Sequence, residues 1–129
     1  NRRNKSNMKT LKITTDNKIS IIDVDLDDYR ALQQEIGGYI ETVHTQIMYD
    51  YFRAPVLMLV DEEGLIKNLP ANAMASHFYG YQKHGHVIAG DAIFAISLGE
   101  NMTGFGERDS EQWMNKMLND FPVLVAEEK

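Results

Sequence analysis

The sequence contains no cysteine among its 129 residues. This absence excludes disulfide scaffolds, thiolate nucleophiles and cysteine-ligated zinc sites. The chain also lacks any run of roughly 18 apolar residues, the length that a transmembrane helix requires. Residues 1–7 (Asn-Arg-Arg-Asn-Lys-Ser-Asn) lack the apolar core of a signal peptide. Together these absences predict a cytoplasmic protein with no membrane partner.

Basic residues are scarce beyond the first twelve positions. Residues 13–129 carry 8 basic and 19 acidic side chains, whereas residues 1–12 carry 5 basic side chains and no acid. Because an acidic body is repelled by phosphate backbones, nucleic acid is an unfavourable partner. The alternative is that Arg2, Arg3 and Lys5 grip nucleic acid. We expect residues 1–7 to be a disordered arm or a cloning remnant, and residues 8–129 to form one domain.

The hydrophobic pattern predicts alternating strands and helices. Strands are predicted at 9–15, 18–24, 39–48, 55–60, 65–69 and 87–98, with a short one at 123–125. Helices are predicted at 25–36, 70–80 and 109–121, with loops at 50–53, 81–86 and 99–108. The fold class is therefore predicted to be α+β. We expect a single domain with a mixed, mostly antiparallel sheet and two or three helices packed mainly on one face.

Local residue signals predict where several elements begin and end. Asp25 or Asp27 is expected to cap the first helix, and Gly37-Gly38 to end it with a left-handed residue. Gly64 is expected to supply the positive φ of a hairpin turn between the strands at 55–60 and 65–69. Asp109 is expected to cap the last helix.

Histidines and carboxylates offer one enzymatic hypothesis. His77, His84, His86, Asp91 and Glu41 would form a small hydrolase site, with or without a metal, if at least three of them met in one pocket. Their spacing matches no helical metal motif, and no serine lies in a Gly-x-Ser-x-Gly turn. The sequence therefore predicts neither a metal site nor a cofactor, and enzymatic activity is the alternative interpretation.

Aromatic residues in the predicted loop at 50–53 and just before it favour an interaction surface. Tyr49, Tyr51, Phe52 and Arg53 combine large rings with a charge, a composition that is typical of protein interfaces. We expect these four residues to form a contact loop, and the protein to be a homodimer. The prediction depends on the rings being exposed in the monomer.

Four short motifs occur in order along the chain. They are Gly37-Gly38-Tyr39-Ile40-Glu41, Val60-Asp61-Glu62-Glu63-Gly64, Leu69-Pro70-Ala71-Asn72 and Val87-Ile88-Ala89-Gly90. In this order the chain resembles the domain of unknown function 3846 family over about residues 9–100. The resemblance implies a compact α+β domain, often encoded by phages and other mobile elements of bacteria, and no established reaction.

The motif residues have two interpretations. In the structural one, the glycines permit positive φ or close backbone approach, and Pro70 with Asn72 fixes a helix start. In the functional one, Tyr39, Glu41, Pro70, Asn72 and Gly90 surround a pocket for a small polar ligand. We therefore predict a non-enzymatic binding or interaction protein. It would sequester such a ligand or block a host protein, with no cofactor.

Overall fold

The structure, a computed structural model, describes residues 7–127. In chain order its elements are β1 (Asn7–Ile13), β2 (Lys18–Asp25), α1 (Tyr29–Ile36), β3 (Ile40–His44), α2 (Gln46–Phe52), β4 (Val56–Asp61), α3 (Ala73–Tyr79), α4 (Tyr81–His84), β5 (Ala92–Leu98), β6 (Asn101–Thr103), α5 (Glu107–Asp120) and β7 (Val125–Ala126). Of the arm predicted at residues 1–7, residues 1–6 lie outside the described part. Asn7 is the first residue of β1.

The seven strands of the described chain form one sheet. Its order is β3–β4–β5–β1–β2–β7, with β6 paired to β5. β7 runs parallel to β2, and the other pairs are antiparallel. The mixed, mostly antiparallel sheet is thus confirmed. β3 forms one edge, because it pairs with β4 alone.

Helices cover the two faces of this sheet unequally. α2, α3 and α5 pack on one face, where Phe78 and Met117 join Met58 of β4 in the larger core. α1 packs on the other face, where Leu32 joins Leu57 in a smaller core. The α+β class is confirmed, but residues 7–127 contain five helices rather than two or three. The additional helices are α2 and α4, which occupy segments expected to be strand and loop.

Helix α1 begins and ends at local capping residues. The Asp28 carboxylate accepts hydrogen bonds from the backbone N–H groups of Arg30 and Ala31, so the cap is neither of the two earlier aspartates. Gly37 ends the helix at φ 95°, as predicted, and donates its N–H to the Gln33 carbonyl. The short helix therefore leaves part of its sheet face uncovered.

The strand predicted at 39–48 ends at His44. The Thr45 hydroxyl accepts the Met48 N–H and donates to the Phe78 carbonyl, which starts α2 and ties it to α3. Side-chain capping of this kind overrides the alternating pattern, because it satisfies backbone donors at a helix start. The loop predicted at 50–53 is consequently wrong over its first three residues, which are helical.

The strand predicted at 65–69 is also absent from the structure. The chain forms consecutive turns there, because the Asp61 carboxylate accepts the Glu63 N–H and the Asp61 carbonyl accepts the Gly64 N–H. Gly64 does not have a positive φ, contrary to prediction, whereas Asn68 does, at 61°. A compact turn therefore replaces the expected hairpin.

The last third of the chain contains two further differences. α5 starts at Glu107 after Gly106, so Asp109 lies in the first turn rather than at the cap. The loop predicted at 99–108 contains β6, which forms a hairpin with β5. Between residues 7 and 127, no helix is long and apolar enough to cross a membrane.

Candidate functional site

The sequence motifs meet around Asp61 at the end of β4. Asp61 is buried and pairs with Lys67, whose Nζ lies 2.7 Å from Oδ2. The same ammonium donates to the Gly37 carbonyl at 3.1 Å. Gly38 lies so close that an added Cβ would stand 2.7 Å from Asp61 Oδ2. Gly38 is therefore needed for close approach to a buried ion pair, whereas Gly37 has open space around it and supplies the left-handed end of α1.

Asn72 lies behind this pair at the start of α3. Its Nδ2 donates to the carbonyls of Ile13 and Gly90, both at 3.0 Å, and its Oδ1 accepts the Ala75 N–H. The side chain is fully buried. It joins β1, the segment before β5 and α3, so its amide is engaged within the fold and does not face a ligand.

The five residues of the predicted pocket therefore separate into two groups. Pro70 and Gly90 lie with Asn72, since the Pro70 carbonyl accepts the Gly90 N–H at 2.9 Å. Tyr39 and Glu41 lie at the sheet edge, where both side chains are exposed. For Asn72, Pro70 and Gly90 the contacts agree with the structural interpretation, whereas Tyr39 and Glu41 belong to a surface.

The predicted contact loop is largely helix α2. Phe52 is only 4% exposed, and its ring lies 4.8 Å from that of Trp113. Tyr51 is half-buried between α2 and α5. Tyr49 and Arg53 remain at the surface. The four-residue contact loop is therefore corrected to two surface residues, because the other two side chains pack in the core.

The Tyr51 hydroxyl makes a contact that predicts a pH-dependent effect. It donates to Asp120 at 2.7 Å, and Lys116 donates to the same carboxylate at 2.8 Å. Lys116 and then Tyr51 lower the pKa of Asp120, whereas burial and Asp120 raise the pKa of Tyr51. A lowered carboxyl pKa stabilises the fold above the unfolded value of about 3.9, and this contribution disappears as pH falls through the folded value.

Tyr51→Phe should therefore lower the urea midpoint at pH 7 and lower it less at pH 3. Removing the hydroxyl removes one donor to the Asp120 carboxylate, and this hydrogen bond is strongest while that group is charged. Urea unfolding followed by Trp113 fluorescence measures both midpoints. Tyr49→Phe, on the exposed side of the same helix, is the control. An equal decrease in the urea midpoint at both pH values would contradict the assigned role of the Tyr51–Asp120 hydrogen bond.

The histidines of the hydrolase hypothesis lie apart from the two carboxylates. His77 contacts the Phe121 ring, and His84 stacks on Tyr79 at 4.3 Å. Asp91 accepts the Thr15 N–H, and Glu41 lies on β3. The described chain contains no group of three or more such residues that could hold a metal ion. The metal-dependent form of the hydrolase hypothesis therefore has no ligand set within residues 7–127.

The outer edge of β3 exposes unpaired backbone. The Glu62 N–H bonds to the Tyr39 carbonyl, whereas the Ile40 N–H bonds to the Tyr29 hydroxyl at 3.2 Å, away from β4. Because alternate residues of an antiparallel strand face the same neighbour, Thr42 also directs its N–H and carbonyl outward. In residues 7–127 no strand lies beyond β3 to pair with them.

Exposed apolar side chains surround this edge. Of the ten large apolar side chains exposed within residues 7–127, six lie on elements next to β3: Tyr29, Tyr39, Ile47, Tyr49, Leu65 and Ile66. Ile66 is 81% exposed and Tyr39 57%. We call β3 and these six side chains the β3 edge. The strand itself exposes Glu41, Thr42 and His44, so the edge combines polar strand residues with apolar side chains on neighbouring segments, and exposed apolar surface with a polar surround points to binding.

A groove opens beside the β3 edge on the face that α1 leaves uncovered. It has a volume of about 380 Å³ and runs from Thr42 and His44 across Leu57 to Ser97 and Met102. Leu57 lies in the smaller core, which places the groove on the α1 face. A second cavity of about 320 Å³ is lined by His44 and Tyr49 at the end of β3.

Sequence reasoning missed Tyr29, Thr42 and His44. The alternation of residues 39–46 did place Thr42 and His44 on one face of the strand, opposite Val43. Alternation alone does not show that this strand lies at the edge of the sheet, because the neighbours of a strand are distant in sequence. Tyr29 matched the buried stripe of α1 but is half exposed, with its hydroxyl at β3.

These features define a mixed-sheet α+β domain with an open, tyrosine-flanked edge. The model of the family named domain of unknown function (DUF3846) matches residues 8–118. The chain belongs to this family. Neither the curated proteins nor the solved structures gave a significant match.

Proposed function

We propose that the protein is a non-enzymatic interaction module that binds an extended segment of a partner along the β3 edge. The observation that carries this proposal is the outward-facing backbone of Thr42 on a strand with one neighbour. An added strand would accept the Thr42 N–H and donate to its carbonyl, extending the sheet. Main-chain hydrogen bonds of this kind supply affinity without requiring one partner sequence.

The side chains around the strand support the same function. Tyrosine is enriched in protein interfaces, because it combines a large apolar ring with a hydroxyl. Tyr39 and Tyr49 stand near the two ends of β3, and both are more than half exposed. Each ring can therefore pack on a bound segment without a change in the core. Glu41 lies between them in sequence, within β3.

The biological setting is part of the proposal. The module would act in a bacterial cytoplasm, on behalf of a phage or another mobile element, by occupying a strand of a host protein. The support for this setting is the family resemblance. The support for the mode of binding is the β3 edge.

A strand-forming peptide tests the mode of binding. The probe is a fluorescein-labelled peptide, Thr-Val-Thr-Gln-Thr-Val-Thr, and fluorescence anisotropy measures its affinity. Thr42→Pro removes the outward N–H without removing a bond to β4, so binding should weaken about tenfold. Thr42→Ala keeps the backbone N–H and should bind as the unmodified protein does.

A second probe keeps the test decisive if Thr42→Pro fails to fold. The same peptide, N-methylated at every residue, has no backbone N–H on either edge and should not bind the unmodified protein. Equal affinity for the methylated and unmethylated peptides would show that strand pairing does not drive binding. Absence of binding by the unmethylated peptide would also contradict the proposal.

A further inference from the structure

The groove begins at β3 and continues inward over β4 and β5, on the face toward which every second side chain of an added strand would point. Thr42 and His44 line the groove and belong to the strand that the partner would adjoin. In a sheet, alternate side chains of neighbouring strands point to the same face. Every second side chain of a bound segment would therefore point toward the α1 face, next to the groove.

The groove is lined by acidic, uncharged polar and apolar residues. Asp27 and Glu100 contribute carboxylates, and Leu57 and Met102 contribute apolar surface. The lining residues described for this groove include no lysine or arginine. Thr42, His44, Ser97 and Asn101 add uncharged polar groups to the lining. Apolar surface next to carboxylates suits a long aliphatic stem that ends in a positive charge. The guanidinium of arginine adds bidentate hydrogen bonding to a carboxylate.

We infer that the partner segment is basic and inserts an arginine or lysine side chain into this groove. This inference rests on the proposed function, since it names the chemistry of the strand that pairs with β3. Backbone hydrogen bonds to β3 would hold the segment at the edge, and the basic side chain in the groove would make binding specific for that segment. The net charge of −6 over the whole chain attracts the same kind of partner.

A second copy of this chain fits the edge less well. Glu41, Asp50 and Glu62 are exposed in or beside β3. Pairing two β3 edges would bring these acidic groups toward their own equivalents, and like charges placed opposite each other are destabilising. A basic segment of another protein avoids this repulsion. The homodimer therefore becomes an outcome that the experiment distinguishes.

Changing the central residue of the peptide tests the inference. The central glutamine of the probe is replaced by arginine or by glutamate, with everything else kept. We expect the arginine peptide to bind about tenfold more tightly than the glutamine peptide, the equivalent of one charge-assisted hydrogen bond. The glutamate peptide should bind more weakly than both.

Two matched protein variants locate the effect. Asp27→Asn with Glu100→Gln should bring the ratio of the arginine-peptide affinity to the glutamine-peptide affinity close to one. Glu107→Gln with Glu111→Gln changes net charge equally on α5, on the other side of the sheet, and should keep the preference. Loss of preference in both variants would overturn the inference, because overall charge would then explain it.

The remaining outcomes separate the inference from the proposed function. Equal affinity for the arginine and glutamine peptides, with both lost in Thr42→Pro, overturns the basic partner and keeps the strand-binding edge. Absence of binding by all peptides overturns both. A dimer in light scattering that Thr42→Pro converts to monomer assigns the edge to a second copy, and this also overturns the basic partner.

Discussion

Asn72→Ala should lower the free energy of unfolding by about 4 kcal/mol. The change leaves the buried carbonyls of Ile13 and Gly90 without their side-chain donor, at about 1–3 kcal/mol each. It also removes the cap on Ala75 N–H, which typically costs about 1 kcal/mol. Because small domains are stable by only about 5–15 kcal/mol, this is a large fraction of the total.

Urea unfolding monitored by circular dichroism measures the Asn72 effect. Asn115→Ala is the matched control, because Asn115 is exposed on helix α5 and should change stability by less than about 0.5 kcal/mol. A loss below about 1 kcal/mol at Asn72 would mean that the amide is not the bridge described here. In that case a ligand-facing role for Asn72 would regain support.

Gly64→Ala should destabilise the protein by at least about 3 kcal/mol. An alanine Cβ would stand 2.2 Å from the Ala89 carbonyl oxygen, which belongs to the backbone and has no flexible end to move away. Relief requires the turn after Asp61 to separate from the segment before β5. That segment contains Gly90 and the contacts to Asn72, so the strain extends to the junction of the motifs.

Gly85→Ala is the control that isolates crowding from backbone conformation. Gly85 has φ 86° but no atom within 4 Å of an added Cβ, so its cost should be about 1 kcal/mol from the left-handed backbone alone. Gly64 has no positive φ, and its replacement by alanine should nevertheless destabilise the protein more than the replacement of Gly85. Thermal unfolding of the two variants gives the comparison. A smaller loss at Gly64 than at Gly85 would contradict the close approach.

Elements whose signals were local could be predicted from the sequence. The β1–β2 hairpin and the left-handed end of α1 at Gly37 depend on residues within a few positions of each other. The continuously apolar segment before Asp61 was correctly assigned to a central strand, and β4 is buried throughout. In each case the local preference agrees with the tertiary structure, so nothing distant had to be known.

The segment from Tyr39 to Arg53 was mispredicted because two local signals compete within it. Alternation continues through residue 46, but Thr45 has a backbone acceptor in α3, the carbonyl of Phe78. That tertiary contact fixes the cap and converts the rest of the strand into α2. Phe52 then packs in the core instead of at a surface. The sequence shows the residues of this segment but not that the Phe78 carbonyl is the partner of Thr45, which decides between strand and helix.

The candidate site could be predicted only in part for a related reason. Of the five residues grouped in the predicted pocket, Pro70, Asn72 and Gly90 lie together, but the side chain of Asn72 makes its hydrogen bonds within the fold. The importance of Thr42 follows from sheet order, which depends on pairings as distant as Lys12 with Ile93. Tyr39 and Glu41 were selected from the motifs and lie at the edge that this order exposes.

The central position of β1 also has a consequence for synthesis of the chain. β1 is synthesised before its partner β5, which follows about 80 residues later, as the pairing of Lys12 with Ile93 shows. The nascent chain can form the N-terminal hairpin early, but the sheet cannot join its two halves until β5 has emerged. Folding that depends on such distant pairing is slow, because the entropy cost of closing a long loop comes before the favourable contacts form. Until β5 has been synthesised, the side of β1 that pairs with it stays unpaired, so the nascent chain exposes a strand edge to which a chaperone can bind.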